Sequence, residues 1–549
     1  MKLKSFSVLA AVVLIIACNN KDTANSDELN TFSADSLGNR IAILSSDGFT
    51  GRKPFTEGET KTINYLRDQF IAAGLEPGNG NSYFQEVPMV RIATVPNATM
   101  EVSSPRGNFS LKGFDDYVIW TDRTDPALSW KNAEVVFAGY GVVAPEYGWN
   151  DYAGLDVKGK IALVLVNDPG FNAGDSTLFK GNAMTYYGRW TYKFEEAARQ
   201  GAAGCLIVHN TKAASYPFTV VQNNWKGSRL RIDNRGTKES LCDMIGWLSG
   251  DAAAKLLEAA GKDSNLFASA DKKEFRGMPL GVKLSTAMTV TTTYNKSHNV
   301  IAKITGTEKP EETIIYSAHW DHLGIGKPDE TGDSIYNGAL DNASATAGLF
   351  ELARAFRSAK TPPRRTVVFL AVTAEEQGLW GSAWYATHPI FPAASTIANI
   401  NMDGLNWYGA TKDIIVIGKG QNELEDYLTE AATAADRVVN FESHPEAGSY
   451  YRSDHFNFAK VGIPALYTAS GIQLIDASRG DGQKIHDAYT EKNYHRPSDE
   501  YDKATWALDG AIADLKLMYM VGKRLATGNE WPGWKEGSEF KALRQNAAK

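Results

Sequence analysis

The chain has 549 residues, of which 43% are hydrophobic and 22% charged, with 57 basic against 64 acidic side chains and a formal net charge of −7. That length exceeds one compact domain and predicts two or three. The mild acidity argues against nucleic acid as a ligand. The three cysteines, Cys18, Cys205 and Cys242, exclude a dense disulfide framework. Cys205 and Cys242 both sit in apolar stretches and read either as one bridge or as two small buried thiols.

The first twenty residues, MKLKSFSVLAAVVLIIACNN, are a processing segment. Lys2 and Lys4 form a basic region and Ser7 to Ala17 an apolar one too short to span a bilayer. The run ends IIAC, with a small residue before Cys18, and resembles a bacterial lipobox. That resemblance implies a signal peptide over 1–17, cleavage before Cys18 and lipid on that cysteine. The polar stretch that follows suits a flexible tether over 18–35. Asparagines at 19 and 20, with no aspartate after the cysteine, resemble sorting to the outer membrane. The expected location is therefore outer-membrane-anchored, facing the periplasm or the exterior.

Along the body, FTEGETKTINYLRDQFIAAGL spaces apolar residues as a helix does, with Gly74 as its stop. YFQEVPMVRIATV then reads as edge strand. Near residue 130 the texture changes to strand-like pieces (VVFAGYGVV, IALVLVN, CLIVHN) with a helix over TYKFEEAARQ. From about Tyr294 strands and helices alternate: NVIAKITG, TIIYSAHWD, ASATAGLFELARAFRSA, RRTVVFLAVTAEE, IANINMD. Alternation predicts an α/β fold, a mixed and mainly parallel sheet flanked by helices. The division is 36–130 as the first part of the main domain, 131–290 as a β-rich insert, 291–525 as the remainder and 526–549 as a C-terminal extension.

The residues able to do chemistry cluster at predicted strand ends. His319 and Asp321 lie two apart after an apolar strand, where an imidazole can bind a metal and a carboxylate can hold its other nitrogen. His322 competes for the same role. Asp341 opens a helix, where it could bridge two cations or simply cap the helix. Glu375 and Glu376 end the strand TVVFLAVTAEE, and two adjacent carboxylates there repel unless cations or donors compensate. Asp403 ends another strand and His495 precedes a proline turn. His319, Asp341, Glu376, Asp403 and His495 form a nitrogen and oxygen set that suits zinc or another divalent transition metal. Five ligands fit two metals sharing one carboxylate, an arrangement able to activate water.

The ordered motifs HWDH, LDNASA, AEEQG, NMDG, SDHFNFAKVGIPA and YHRPSD resemble the co-catalytic zinc peptidase family that includes bacterial leucyl aminopeptidase, aminopeptidase Y and glutamate carboxypeptidase II. The resemblance runs through 298–512, with a weaker part from about 40 to 130. It implies a zinc exopeptidase fold of the phosphorylase/hydrolase-like kind and two zinc ions. His319 and Asp403 would hold one and Glu376 and His495 the other, with Asp341 bridging through a cis peptide to Asn342. Glu375 would be the general base and then the acid. Asp321, Asp454 and His455 would support from behind the ligands, and Tyr450 would lie near the oxyanion. FAGYGV, KGKIALV and EEAARQGAAGCLIVH make the insert resemble a protease-associated domain.

Short peptides are the expected substrates. The motifs' surroundings are acidic and aromatic, which favours holding a free ammonium end, with Trp380 and Trp407 as candidate walls of a side-chain pocket. Arg452 and Arg496 are the basic exceptions, and Arg452 could clamp a carboxylate, as a carboxypeptidase or dipeptidase would require. An inactive zinc-containing surface binding protein is the non-enzyme alternative, but no ligand or base is missing.

Overall fold

The computed structural model describes residues 27–173, 177–224 and 227–547. The leader and Cys18 lie outside the described residues, and the expectation of a lipid anchor lies there with them. Residues 27–35 do not form a tether. Asp27–Asn30 makes a 3-10 turn, and Leu29 and Phe32 enter the main core. Two apolar side chains with a core to enter outweigh the polar composition around them.

Helix α1 (Ala34–Leu44) is capped by the Ser33 hydroxyl, which accepts from the Ser36 amide, and it buries Leu37, Ile41 and Leu44 on one stripe. Helix α2 (Glu57–Ala72) buries Leu66 and Phe70, and Gly74, at φ +71°, lies just past its end. Strand β1 (Phe84–Pro96) follows. It was expected at an edge, yet it is paired on both sides, as described below.

The second body contains β2 (Tyr117–Trp120), β3 (Ala127–Phe137), β4 (Ile161–Leu165), helix α3 (Trp190–Arg199), β5 (Gly204–Val208), β6 (Ser228–Ile232) and β7 (Met244–Leu248). Strands β3, β4, β5 and β7 lie side by side in parallel, and β2 closes antiparallel on β7. Leu206 and Val208 of β5 face one apolar cluster while Cys205 and Ile207 face another, the alternation of a strand buried on both faces. Met100, Val102 and Leu111 also belong to this core, so it begins upstream of residue 131. Cys205 and Cys242 are free thiols, their sulfurs against the carbonyls of Lys193 and Phe194.

Strand β8 (Met278–Ile304) is 27 residues long and passes from one body to the other. Its start pairs with β3, its middle runs antiparallel to β1 from Met288 to Val300, and its end enters the main sheet. Strand β6 of the insert adds to the other side of β1 over Met89–Ala93. The main sheet continues with β9 (Lys309–His319), helix α4 (Ala345–Ser358), β10 (Arg365–Val372), helix α5 (Trp380–Thr387), β11 (Thr396–Asn401), β12 (Asp413–Val416), β13 (Val438–Phe441), helix α6 (His455–Lys460), β14 (Ala465–Ser470), helix α7 (Gly482–Lys492) and helix α8 (Asp509–Thr527).

Spatially the order is β8, β10, β9, β11, β14, β12, β13, and the inner four strands are parallel. Val367, Phe369 and Ala371 face the core made with α1, α4 and α8, whereas Val368, Leu370 and Val372 face α5 and α6. Both faces of the sheet are thus covered, as the alternation of strands and helices predicts. The C-terminal extension bridges the bodies. Glu539, buried, accepts from Tyr451 Oη at 2.6 Å and from Lys180 Nζ of the insert at 2.9 Å.

Candidate active site

The parallel strands β9, β10 and β11 all deliver acids or imidazoles at their carboxyl ends: His319 and Asp321, Glu375 and Glu376, and Asp403. Asp341 comes from the irregular turn Ala339–Ser344 before α4, and its peptide bond to Asn342 is cis. His495 follows α7 with φ +57°.

Asp341 is the hinge of the arrangement. Its Oδ1 lies 3.2 Å from His319 Nε2 and its Oδ2 lies 3.2 Å from His495 Nε2. His319 Nε2 is also 3.2 Å from Asp403 Oδ1, and His495 Nε2 is 3.0 Å from Glu376 Oε2. One carboxylate therefore spans two ligand pairs. Two clusters able to hold a metal result, one from His319, Asp341 and Asp403 and the other from His322, Asp341 and Glu376. His495 joins the second through the contacts just given. His322 Nδ1 lies 2.6 Å from Glu376 Oε1, so both oxygens of Glu376 face an imidazole.

The donor set fits divalent cations. His319 Nδ1 lies 3.1 Å from the carbonyl of Asp321, which can only accept, so the proton of a neutral ring sits on Nδ1. The lone pair on Nε2 then points at two carboxylate oxygens, which is repulsive unless a proton or a metal cation lies between. Two ligands on one tetrahedral zinc at about 2.0–2.1 Å lie about 3.3 Å apart, close to the separations observed.

Charge is conspicuously crowded here. Burial lifts Asp321 to about 8 and Asp454 to about 7. Burial also drives Glu375 well above the carboxylate range, with Asp403, Glu376 and Asp454 adding to it against the pull of His319. On Glu376 burial is outweighed by His495 and His322, which bring it down to about 2. Glu375 is 4.0 Å from His319 Nε2 and bound to neither cluster.

The side chains of the two clusters are held from behind. Asp321 was expected to orient His319 through its carboxylate, but the ring is held by the Asp321 carbonyl. The carboxylate Oδ1 instead accepts from the Glu375 amide at 3.0 Å. Ser453 donates to Asp403 Oδ2 at 2.7 Å and itself accepts from Asn401. Asn342 ties the Asp341 turn to the Asp403 turn by accepting from the Gly404 amide. Asp499 receives the amides of Leu340 and Asp341 at 3.0 and 3.1 Å. Asp454 accepts from Ser382, and His455 stacks on Tyr467. Sequence reasoning missed Ser453, Asn342 and Asp499, although each lies inside a quoted motif.

Tyr450 is placed differently from expectation. Its ring packs among Trp534, Phe540 and Phe456, and its buried hydroxyl has no hydrogen-bond partner among the described residues. The charges near that hydroxyl are Glu539 and Glu425, not the metal cluster. The β14 residue Tyr467 sits beside Asn401 in register. Burial first, then Asp403, Glu375 and Asp341, hold its hydroxyl protonated. Trp380 donates to the Leu230 carbonyl and packs against the insert's β6, so it is a packing residue. Trp407 lines a cavity of about 280 Å³ with Tyr489, Trp506 and Asp499. Arg452 is exposed and donates to the Ala447 carbonyl.

Residues 299–520 match the model of peptidase family M28, and residues 131–234 match the PA domain. Aminopeptidase YwaD of Bacillus subtilis is 27% identical over 59% of this chain and 57% of its own length. A probable glutamate carboxypeptidase of Arthroderma benhamiae is 30% identical over 46% of this chain and 34% of its own. The chain thus spans less than two thirds of these relatives. The solved aminopeptidase from Aneurinibacillus sp. strain AM-1 shares the fold, with a TM-score of 0.50 at 21% identity over 92% of this chain and 96% of that one.

Ser453→Ala removes the hydrogen bond that aims Asp403 while leaving every ligand in place. Zinc affinity, measured by chelator competition, is expected to fall about 10–100-fold. Unchanged affinity would show that Ser453 serves packing alone.

Proposed function

From the membership of this chain in peptidase family M28, with a PA domain carried as an insert, we propose that it is a di-zinc exopeptidase removing amino-terminal residues from short peptides. One observation carries the reading: Asp341 presents one oxygen to His319 and the other to His495, with Glu375 unbound at their side. His319 and Asp403 would hold one zinc, His495 and Glu376 the other, and Asp341 both. His322 would hold Glu376 in place through its second oxygen. The pair of ions, when bound, supplies an activated water and polarises the scissile carbonyl.

The chain's own residues do the rest. Glu375 accepts the proton of the attacking water and returns it to the leaving amine. Its backbone amide is fixed by Asp321, which sets where the side chain leaves the chain. Tyr467, whose backbone pairs with Asn401 and whose ring stacks on His455, is the candidate for the oxyanion contact that the family resemblance placed on Tyr450.

The choice of the amino end rests on charge. A carboxypeptidase needs fixed guanidinium or ammonium groups to receive a carboxylate. Arg452 is turned to the Ala447 carbonyl and exposed, and Arg496 is exposed. The carboxylates gathered at the cluster are suited to an ammonium group. The name of the YwaD relative agrees with this choice, and that of the Arthroderma relative keeps the carboxypeptidase as the competing reading.

Glu375→Gln is expected to lower kcat by about 10²–10⁴-fold, with elemental analysis still finding zinc at both sites. Near-normal turnover would remove Glu375 from the mechanism. The terminus is decided by two matched peptides, one amino-acetylated and one carboxy-amidated. Hydrolysis of the amidated peptide alone is expected, and hydrolysis of the acetylated one alone would reverse the choice. For location, we propose lipid attachment at Cys18, motivated by the IIAC sequence. Mass spectrometry of the membrane fraction should find a mature chain starting at a diacylated Cys18, and an unmodified cysteine in the soluble fraction would refute it.

A further inference from the structure

Arg52 is one of the largest fully buried side chains, 1% exposed. Among the described residues it makes no ion pair within 4.0 Å. Its guanidinium is instead spent on main-chain carbonyls. Nε donates to Trp320 O at 2.9 Å, Nη1 to Leu44 O at 2.8 Å and Asn337 O at 2.5 Å, and Nη2 to Gly338 O at 2.8 Å. Three separate pieces of chain meet on this one side chain: the end of α1, the turn after β9, and the turn leading into Asp341.

The backbone that delivers it is contorted. Thr50, Gly51 and Arg52 all have left-handed φ, at 48°, 66° and 49°. A Cβ on Gly51 would lie 2.6 Å from the carbonyl oxygens of Gly324 and Tyr336, so only glycine fits. Non-glycine residues in this region carry strain that persists only where the surroundings over-determine it. An arginine buried without a carboxylate also pays for desolvation. Two unfavourable features converging on one residue point away from simple packing. The acids nearest its charge are Asp499, Asp341, Asp321 and Glu376, members of the catalytic cluster.

We propose that Arg52 is a positioning residue for the metal centre. Its planar fork ties the turn carrying His319 and Asp321 to the turn carrying Asp341, and so sets the distance between the His319 imidazole and the bridging carboxylate. Lysine cannot substitute, because its donors share a single nitrogen and cannot span the four carbonyls that three guanidinium nitrogens reach. The inference rests on the proposed function only in taking these residues as metal ligands.

The test compares full-length Arg52→Lys and Arg52→Met with the natural protein. The first readout needs no metal: hydrogen exchange of the zinc-free protein over residues 318–324 and 336–342. Exchange in both segments is expected to quicken about tenfold or more in each variant, with that over 413–416 unchanged. The second readout is zinc affinity by chelator competition, expected to fall about 10–100-fold in both. Natural exchange and affinity in both variants would overturn the proposal. So would exchange that quickens evenly over the whole main domain, which would make Arg52 a stability residue. If Arg52→Met fails to fold, the lysine variant carries the comparison. A natural protein that takes up no zinc would defeat the proposed function and leave the exchange readout standing.

Discussion

The burial of many carboxyl groups at one place is the constraint on which the rest of this structure depends. Asp321, Asp341, Glu375, Glu376, Asp403, Asp454 and Asp499 lie within one another's fields. A pair of like charges 4 Å apart repels by about 4 kcal/mol even at an effective dielectric of 20. Nothing in a hydrophobic core compensates for that. The compensation is built locally, from imidazoles between the acids, backbone amides aimed at Asp499 and Asp321, and a lone guanidinium beneath them. It is completed by cations, for which the paired 3.0–3.2 Å separations are already set.

That constraint explains why the scaffold is so apolar where it meets the site. Val367 to Val372 are all fully buried immediately before Glu375 and Glu376. Strand ends anchored in this way cannot retreat when charge repels them, so ligands keep their spacing. The supporting hydrogen bonds then act in pairs of opposite sense. Ser453 donates to Asp403, while Asp321 accepts from the Glu375 amide. Asp403 is held through its carboxylate and Glu375 through its backbone amide.

Much of this was legible in the sequence because it is written locally. Apolar runs ending in acids announce β9, β10 and β11, and the residues that could bind metal stand at those ends. The residues that escaped reading act across the fold. Arg52 sits in a glycine-rich polar stretch whose only local signal is a turn, and three of its four carbonyl partners lie hundreds of residues away in the chain. Asp499 and Asn342 look like turn formers and are so, but the turns they hold belong to the metal site. The assignment of Tyr450 followed its spacing from Ser453, and spacing could not report that Trp534 and Phe540 of the C-terminal extension draw its ring into an apolar cluster. Similarly, Leu29 and Phe32 were lost in a polar stretch until a core was there to receive them.

Strand β8 has a further consequence. Because one unbroken strand serves both bodies, and β1 pairs with its middle from Phe84 to Pro96, the insert is not a bead hung from two loops. It is carried on the ribbon of β1 and β8, to which its own strand β6 adds a third strand. A hinge would let the insert swing by rotating a few backbone bonds; a hydrogen-bonded ribbon yields by twisting along its length, at a cost shared over every rung. Excising residues 131–290 would therefore cut away the first rungs of that ribbon together with the insert. The join between the two bodies lies in the ribbon, not in a linker.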